Sequence, residues 1–372
     1  MTFATAAAQA GPRARDLGVP FEGEPGPLNA ITDVPGVTVG HTTLIEDLSD
    51  GRRVRTGVTA ILPRGRDSNA MPVFGGWHSL NGNGEMTGTT WLEESGEFGG
   101  PVMITNTHSV GVVRDAVIAW RVRQGGADAD GYWWSLPVVA ETWDGHLNDV
   151  NGFHVKPEHA WAALDSAAGG PVAEGNVGGG TGMICHEFKC GIGTASRRVR
   201  AAGRDHLLGV LVQANYGPRE SLTIAGVPVG RHLRHHRAYQ DQNPDTGSII
   251  IVVATDAPLL PHQLERLARR AGMGLARMGS IAGDSSGDIF LAFSTANAEA
   301  IANRTRATAE FVANEAIDPL FAATVQATEE AIVNALIAAK DMRGHDGHYA
   351  IALPHDELVA LLKRYGRYST PR

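Results

Sequence analysis

A polar stretch, RHLRHHRAYQDQNPDTG (231–247), ends in glycine, and Ser248 then opens the apolar run SIIIVVATDAP. If the Gly247–Ser248 bond is cut, Ser248 becomes an N-terminal residue carrying both a hydroxyl and an α-amine. An α-amine titrates near ~7.7–8.0, against ~10.4 for lysine. Part of it is therefore neutral near pH 7, and burial lowers its pKa further. Such an amine serves as the base for its own side chain, which is the logic of N-terminal nucleophiles. Glycine before the bond tolerates a strained backbone and leaves its carbonyl open to attack by the hydroxyl. Taken alone, Gly-Ser is an ordinary loop-to-strand junction, so its weight comes from context.

Three further features supply that context. In GDSSGDIF (283–290), Ser286 and Asp288 stand two apart at a turn entering a strand. Residues i and i+2 of a strand share a face, so this pair can relay and stabilise charge beside a nucleophile. Asn215 ends an apolar run (207–217) with an amide able to donate to an oxyanion. Glu141 follows Leu136-Pro-Val-Val-Ala, and a carboxylate at that strand end can hold a substrate ammonium. Each also has a bland reading: a Ser/Asp turn, a strand-terminating Asn and a solvated end residue.

Other patterns carry less. GNVGGGTG (175–182) invites phosphate binding. However, no strand precedes it, no helix follows it, and no Gly-Lys-Ser/Thr is present, so a structural or oxyanion-type turn outweighs that reading. His232, His235 and His236 lie in an Arg-rich segment without a nearby carboxylate and read as a solvated basic loop. Cys185 and Cys190 fit no zinc spacing and read as buried thiols.

The elements that must position these residues follow from periodicity. Strands are expected at 37–45 and 54–63 with a turn at Asp50-Gly51, and again at 133–142, 207–217, 248–258 and 288–295. Helices are expected after Ser109, over 158–168, from Pro261 to Met278, over 315–340 and over 355–365. Residues 1–27, interrupted by four prolines, read as an arm ordered by contact. Strands and helices mix without regular βαβ alternation, which indicates α+β layers in one domain spanning 1–372.

Composition bounds the class. Glycine accounts for 46 of 372 residues, well above the usual ~7%. With 43% hydrophobic residues, these glycines belong to a fold with many tight turns and close backbone approaches. A net charge of −8 argues against nucleic acid. No apolar run reaches the ~18–20 residues of a membrane span, and no secretory signal is visible, so a cytoplasmic protein is expected.

The chain resembles the L-aminopeptidase/D-esterase family of self-cleaving serine aminopeptidases, which includes the β-peptidyl aminopeptidases. The strings that carry the resemblance are DLGVPFEGEPGPLNAITDVPGVTVGHTTLI (16–45), GEMTG (84–88), PVVAETWDGHLNDVNGFHV (137–155), GNVGGGTGMICHEFKCGIGTASR (175–197) and TGSIIIVVATDAPLLPHQLERLARRAGMGLARMGS (246–280). The resemblance implies an αββα four-layer sandwich of the N-terminal-nucleophile type. It implies a precursor that cuts itself between Gly247 and Ser248 into 1–247 and 248–372. It places Ser248 as nucleophile, Ser286 and Asp288 as its partners, Asn215 as oxyanion donor and Glu141 as anchor of the substrate amine. It further implies a homotetramer, no metal or other cofactor, and small peptide, amide or ester substrates. The β-peptidyl branch has Glu where Asp288 stands. Trp143 and His146 stand where tyrosines are expected, and Trp143 is assigned to the substrate pocket. The general base, either the α-amine or the Ser286–Asp288 pair, stays open. The alternatives are an acyltransferase of the ornithine acetyltransferase type, whose nucleophile is Thr, and an unprocessed small-molecule binder.

Overall fold

The structure is a computed structural model that describes residues 11–125, 134–239, 247–302 and 305–371. Along the chain run β1 (Thr38–Asp47), β2 (Arg53–Arg66), β3 (Val73–Ser79), α1 (Thr89–Ser95), β4 (Glu97–Phe98), β5 (Val102–Asn106), α2 (Val110–Arg123) and β6 (Val138–Thr142). They are followed by α3 (Pro157–Asp165), β7 (Ile184–Cys185), β8 (Phe188–Lys189), β9 (Ile192–Ala201), β10 (Arg204–Asn215) and α4 (Val229–His232). The last third holds β11 (Ser248–Thr255), α5 (Pro261–Arg277), β12 (Ile289–Ser294), α6 (Ala298–Ala302), α7 (Asp318–Ala338) and α8 (His355–Arg364).

Two sheets carry the fold. One has the order β1-β2-β5-β6 and the other β4-β3-β12-β11-β10-β9. Their parallel pairs are β5 with β6 and β11 with β12. Alternation along β11 explains the layering. Ile250, Val252 and Ala254 join Ile61, Ile104 and Ala140 between the sheets. Ile249, Ile251 and Val253 face the opposite way, against Leu267 and Leu275 of α5 and Ile332 and Leu336 of α7. All eight residues of β11 are buried, which is why its sequence is apolar without alternation. On the far side, Val58, Met103 and Val139 meet Val113 and Val117 of α2 and Ala160 and Leu164 of α3. The order is helices, sheet, sheet, helices: the expected αββα sandwich.

β3 was not expected, and two glycines explain it. A Cβ at Gly76 would lie 2.3 Å from the Glu265 backbone nitrogen, so α5 packs directly on bare strand backbone. β9 was missed because its polar residues are buried. The Thr194 hydroxyl donates to Val210 O on β10, the Ser196 N–H donates to Asn29 Oδ1, and Arg197 donates to Glu22 O of the arm and Gln326 O of α7. The arm itself is ordered by contact over its described part: Arg13 pairs with Glu174, and Arg15 with Glu330.

One expectation is corrected. Cys185 and Cys190 are joined in a disulfide, not held as thiols. His186 and Glu187 between them both take positive φ, which turns the chain back and brings the two Cα atoms to 5.4 Å. The pair therefore gives no support for a reducing compartment. The glycine run closes a 3-10 turn, Gly178–Gly180. Its Gly178 and Gly179 amides are spent on the hydroxyls of Thr43 and Thr59, so it serves as structure. His232 bonds the Tyr365 hydroxyl and His235 faces Glu357. Residues 240–246 of the expected basic loop lie outside the described residues.

The largest buried ionic cluster ties arm, sheet and helix together. Glu330 on α7 has no exposed side-chain surface and takes Arg15, Arg197 and Asn29. Burial alone would raise its pKa, but the Arg15 bond and the two guanidinium charges hold it below the ordinary value. Glu330→Ala strands the buried Arg197 guanidinium and is expected to cost about 3–5 kcal/mol of stability. A carboxyl whose folded pKa is depressed stabilises above its unfolded pKa, and that contribution is lost as pH falls through the folded value. Denaturant unfolding at pH 7 and pH 3 should therefore show a large gap between wild type and variant at pH 7 that narrows at pH 3.

Candidate active site

The site forms where β11 emerges between β10 and β12. The β10–β11 register sets Asn215 opposite Ser248. On the other flank, the turn before β12 brings Gly287 over the serine, and its backbone N–H donates to Ser248 Oγ at 3.0 Å. The Ser286 hydroxyl donates to Asp288 Oδ1 at 2.7 Å, and the same oxygen accepts the Ile249 N–H at 3.1 Å. The two candidates on GDSSGDIF therefore do meet, and Asp288 is tied to Ile249, the residue after Ser248.

Asn215 is held at both ends of its amide. Its Oδ1 accepts the Ile184 N–H and its Nδ2 donates to the Trp143 carbonyl, each at 2.8 Å. This fixes which end is the NH2, and one of its two hydrogens remains beyond the Trp143 bond. Trp143 is at the site through its backbone. Its half-exposed indole folds over Gly145, where a Cβ would lie 2.6 Å from the ring. His146 lies further along, stacked on His348 at 4.0 Å between ring centroids.

Glu141 closes the inner strand end of β6. Its carboxylate accepts the Glu85 N–H at 3.0 Å and the Thr107 hydroxyl. It is 3% exposed. Burial pushes its pKa up, against the lowering effect of those two bonds and of nearby His108. A buried carboxylate with donors on both oxygens and raised basicity is suited to an ammonium partner.

Residues 80–88 join these parts, and sequence reading assigned them no role. Asn81 Oδ1 accepts the Asp288 N–H at 2.7 Å, and the Asn83 amide donates to Ser285 O at 2.7 Å. Gly84 lies between the two halves: a Cβ there would sit 3.0 Å from Gly287 Cα and 3.3 Å from Glu141 Oε1. The two Asn-Gly pairs in LNGNGEMTG were the available signal, since they mark a tight polar turn. Tyr216 was also missed: its phenol is buried beside the site and has no hydrogen-bond partner among the described residues. A concavity of about 540 Å³ between β3, α1 and the start of α5 is lined by none of the site residues.

A serine at a strand start between two packed sheets, with helices outside, is the layout of an N-terminal-nucleophile hydrolase architecture. The chain belongs to peptidase family S58, whose profile it matches over residues 29–350. It is 54% identical to a β-peptidyl aminopeptidase of Sphingosinicella microcystinivorans, across 100% of this chain and 97% of that one. Among solved structures it is similar to the L-aminopeptidase D-Ala-esterase/amidase of Ochrobactrum anthropi, described as a new variant of the Ntn hydrolase fold. That similarity has a TM-score of 0.91 at 52% identity, covering 96% of this chain and 100% of that one. A Burkholderia β-aminopeptidase superposes with a TM-score of 0.88 at 50% identity, covering 95% and 99%. The protein is thus a hydrolase of the aminopeptidase class. Of the enzyme classes weighed from the sequence, the matches fall on the peptidases. No helix among the described residues is long and apolar enough to cross a membrane.

Proposed function

We propose that the chain cuts itself between Gly247 and Ser248 and then releases N-terminal residues from small peptides, amides and esters through an acyl-enzyme on Ser248. The observation that carries this is the Gly287 N–H on Ser248 Oγ, with Ser286–Asp288 on one side and buried Glu141 reached across Gly84 on the other. The substrate ammonium pairs with Glu141. The Ser248 hydroxyl attacks the carbonyl, losing its proton to the α-amine or toward the Ser286–Asp288 pair. The free Asn215 amide hydrogen supports the oxyanion, the substrate C–N or C–O bond breaks as the leaving amine or alcohol takes up that proton, and water then hydrolyses the Ser248 ester and restores its hydroxyl. The two pieces, 1–247 and 248–372, stay associated as one domain and assemble as a tetramer, as the resemblance implies, and the cytoplasm is the location expected from the sequence. The indole of Trp143, where a tyrosine is expected, lines the pocket rim and supplies no hydroxyl.

Intact mass under denaturing conditions tests the processing step. Two pieces of the stated boundaries are expected, and a persistent 372-residue chain would overturn it. The relatives are named for β-peptides, L-amino substrates and D-Ala esters. A panel of β-homoamino, α-L- and α-D-amino p-nitroanilides therefore tests substrate class. Glu141→Gln removes the charge that meets the ammonium. A charge-assisted hydrogen bond of this kind is worth ~1.5–3 kcal/mol, so KM should rise about 10–100-fold with kcat less affected. N-acetylating the substrate should weaken wild type as much and the variant little further. Because burial raises the Glu141 pKa, kcat/KM of wild type should fall on the acid side as this carboxylate protonates, and the variant should lack that limb.

A further inference from the structure

Tyr216 has an environment that the reaction as described leaves unexplained. It is 3% exposed, its ring belongs to the apolar cluster on the helix side of the six-stranded sheet, and its hydroxyl has no hydrogen-bond partner among the described residues. An unmade hydrogen bond on a buried hydroxyl costs about 1–3 kcal/mol. Phenylalanine would fill the same space without that cost, so the hydroxyl calls for a partner in some other state of the molecule.

Its position identifies that state. Tyr216 follows Asn215, which pairs with Ser248, so it sits across from Gly247. The approach is close: a Cβ at Gly247 would lie 1.9 Å from the Asn215 carbonyl oxygen and 2.6 Å from Tyr216 Cα. β11 runs between β10 and β12. Tyr216 is rooted at the end of β10, and Asp288 stands at the entry to β12. Burial, and then the charge of Asp288, hold the phenol well above its ordinary pKa. Tyr216 is thus rooted beside the Gly247–Ser248 peptide, with its ring on the helix side of the sheet.

We propose that the Tyr216 hydroxyl is the hydrogen-bond donor to the α-amine of Ser248 once the bond is cut. This rests on the processing reading above and deepens it by naming the residue that tunes the new terminus. Before the cut the Ser248 nitrogen is an amide with no lone pair to offer, and the phenol is unpartnered. After the cut the nitrogen is an amine, and a phenol that stays protonated donates to its neutral form. A hydrogen bond to the neutral form disfavours the charged one and keeps the amine available as a base. Among the described residues, the other titratable groups facing this spot are Asp288 and His186, whose ring meets the Tyr216 ring edge-on at 4.9 Å between centroids. His186 is buried and its pKa is lowered to about 4, so it stays neutral through the working range. Lys189 on the same hairpin is committed to the carbonyls of Met183 and Cys190. Asp288 favours the charged amine, and Tyr216 opposes it.

The test is Tyr216→Phe in the full chain, read by three measurements. Self-cleavage followed by intact mass should proceed within about twofold of wild type, because the amine does not yet exist. The unfolding midpoint should not fall, because the lost hydroxyl had no partner in the precursor. The acid limb of the kcat profile of the cleaved enzyme should move to higher pH by half a unit or more. The kcat profile is the one to use, since it reports groups in the substrate complex, where Glu141 is already paired. A profile that coincides with wild type, or a limb moved to lower pH, overturns the proposal. If wild type is never cut, the processing reading has failed first, and the two failures are thereby distinguished.

Discussion

A chain carrying Ser248→Ala is expected to remain a single 372-residue polypeptide and to release no N-terminal residues. The expectation rests on one atom. Ser248 Oγ is the hydroxyl that receives the Gly287 N–H at 3.0 Å, at the buried start of a strand held by neighbours on both sides. In the proposed self-cut that oxygen attacks the Gly247 carbonyl, and in the proposed turnover it carries the acyl group. Losing it removes both reactions. By comparison with removal of the nucleophile from other serine hydrolases, turnover should drop on the order of 10⁵-fold or more. Folding should survive, because the change deletes one oxygen at a site already in alanine-tolerant strand geometry. The measurements are intact mass after prolonged incubation, and p-nitroanilide release normalised to folded protein. Cleavage at 247/248 in the variant, or turnover near the wild-type rate, would remove Ser248 from both roles.

Gly287→Ala is expected to have the next largest effect, for a steric reason. A Cβ there would lie 2.5 Å from the Asn83 carbonyl oxygen and 2.6 Å from Gly84 Cα. Both are backbone atoms, so no side chain can swing away. The turn must shift, and with it goes the N–H that reaches Ser248 Oγ. A shift of about 1 Å in groups that position a reacting atom costs on the order of 10²-fold in kcat. Here Ser286 and Asp288 flank the same glycine, so the loss should reach at least that size. The strain should also lower stability by about 1–3 kcal/mol. Gly84→Ala meets Gly287 Cα at 3.0 Å and should be the milder variant. If Gly287→Ala keeps kcat within threefold of wild type, the Gly287 amide has no part in the reaction.

How much of this could be read from residues alone differs by element. The run at 248–258 was legible because β11 is buried on both faces and so needs no polar alternation. α5 was legible because its buried residues repeat at helical spacing. β9 was not, since its Arg197 and Ser196 read as surface but are satisfied by Glu330 and Asp33 from distant segments. The cysteine pair was misread for a related reason. Spacing alone does not reveal that His186 and Glu187 will adopt positive φ and fold the chain back.

The candidate site divides along the same line. Ser248, Ser286, Asp288, Asn215 and Glu141 were chosen from residue type and local position, because a hydroxyl after glycine, or a carboxylate at a strand end, is a property of a few adjacent residues. That those five belong to one site is a property of topology. Glu141 ends a strand of one sheet and Ser248 begins a strand of the other, and only the packing of the two sheets, with residues 80–88 laid across Gly287, brings them together. The sequence by itself determined the chemical repertoire and the layered class of the fold. The tertiary structure alone decided which backbone amide meets the nucleophile, which oxygens of Glu141 are already occupied and where an unpartnered phenol lies. Those are distances between segments far apart in the chain, and local preferences carry no information about them.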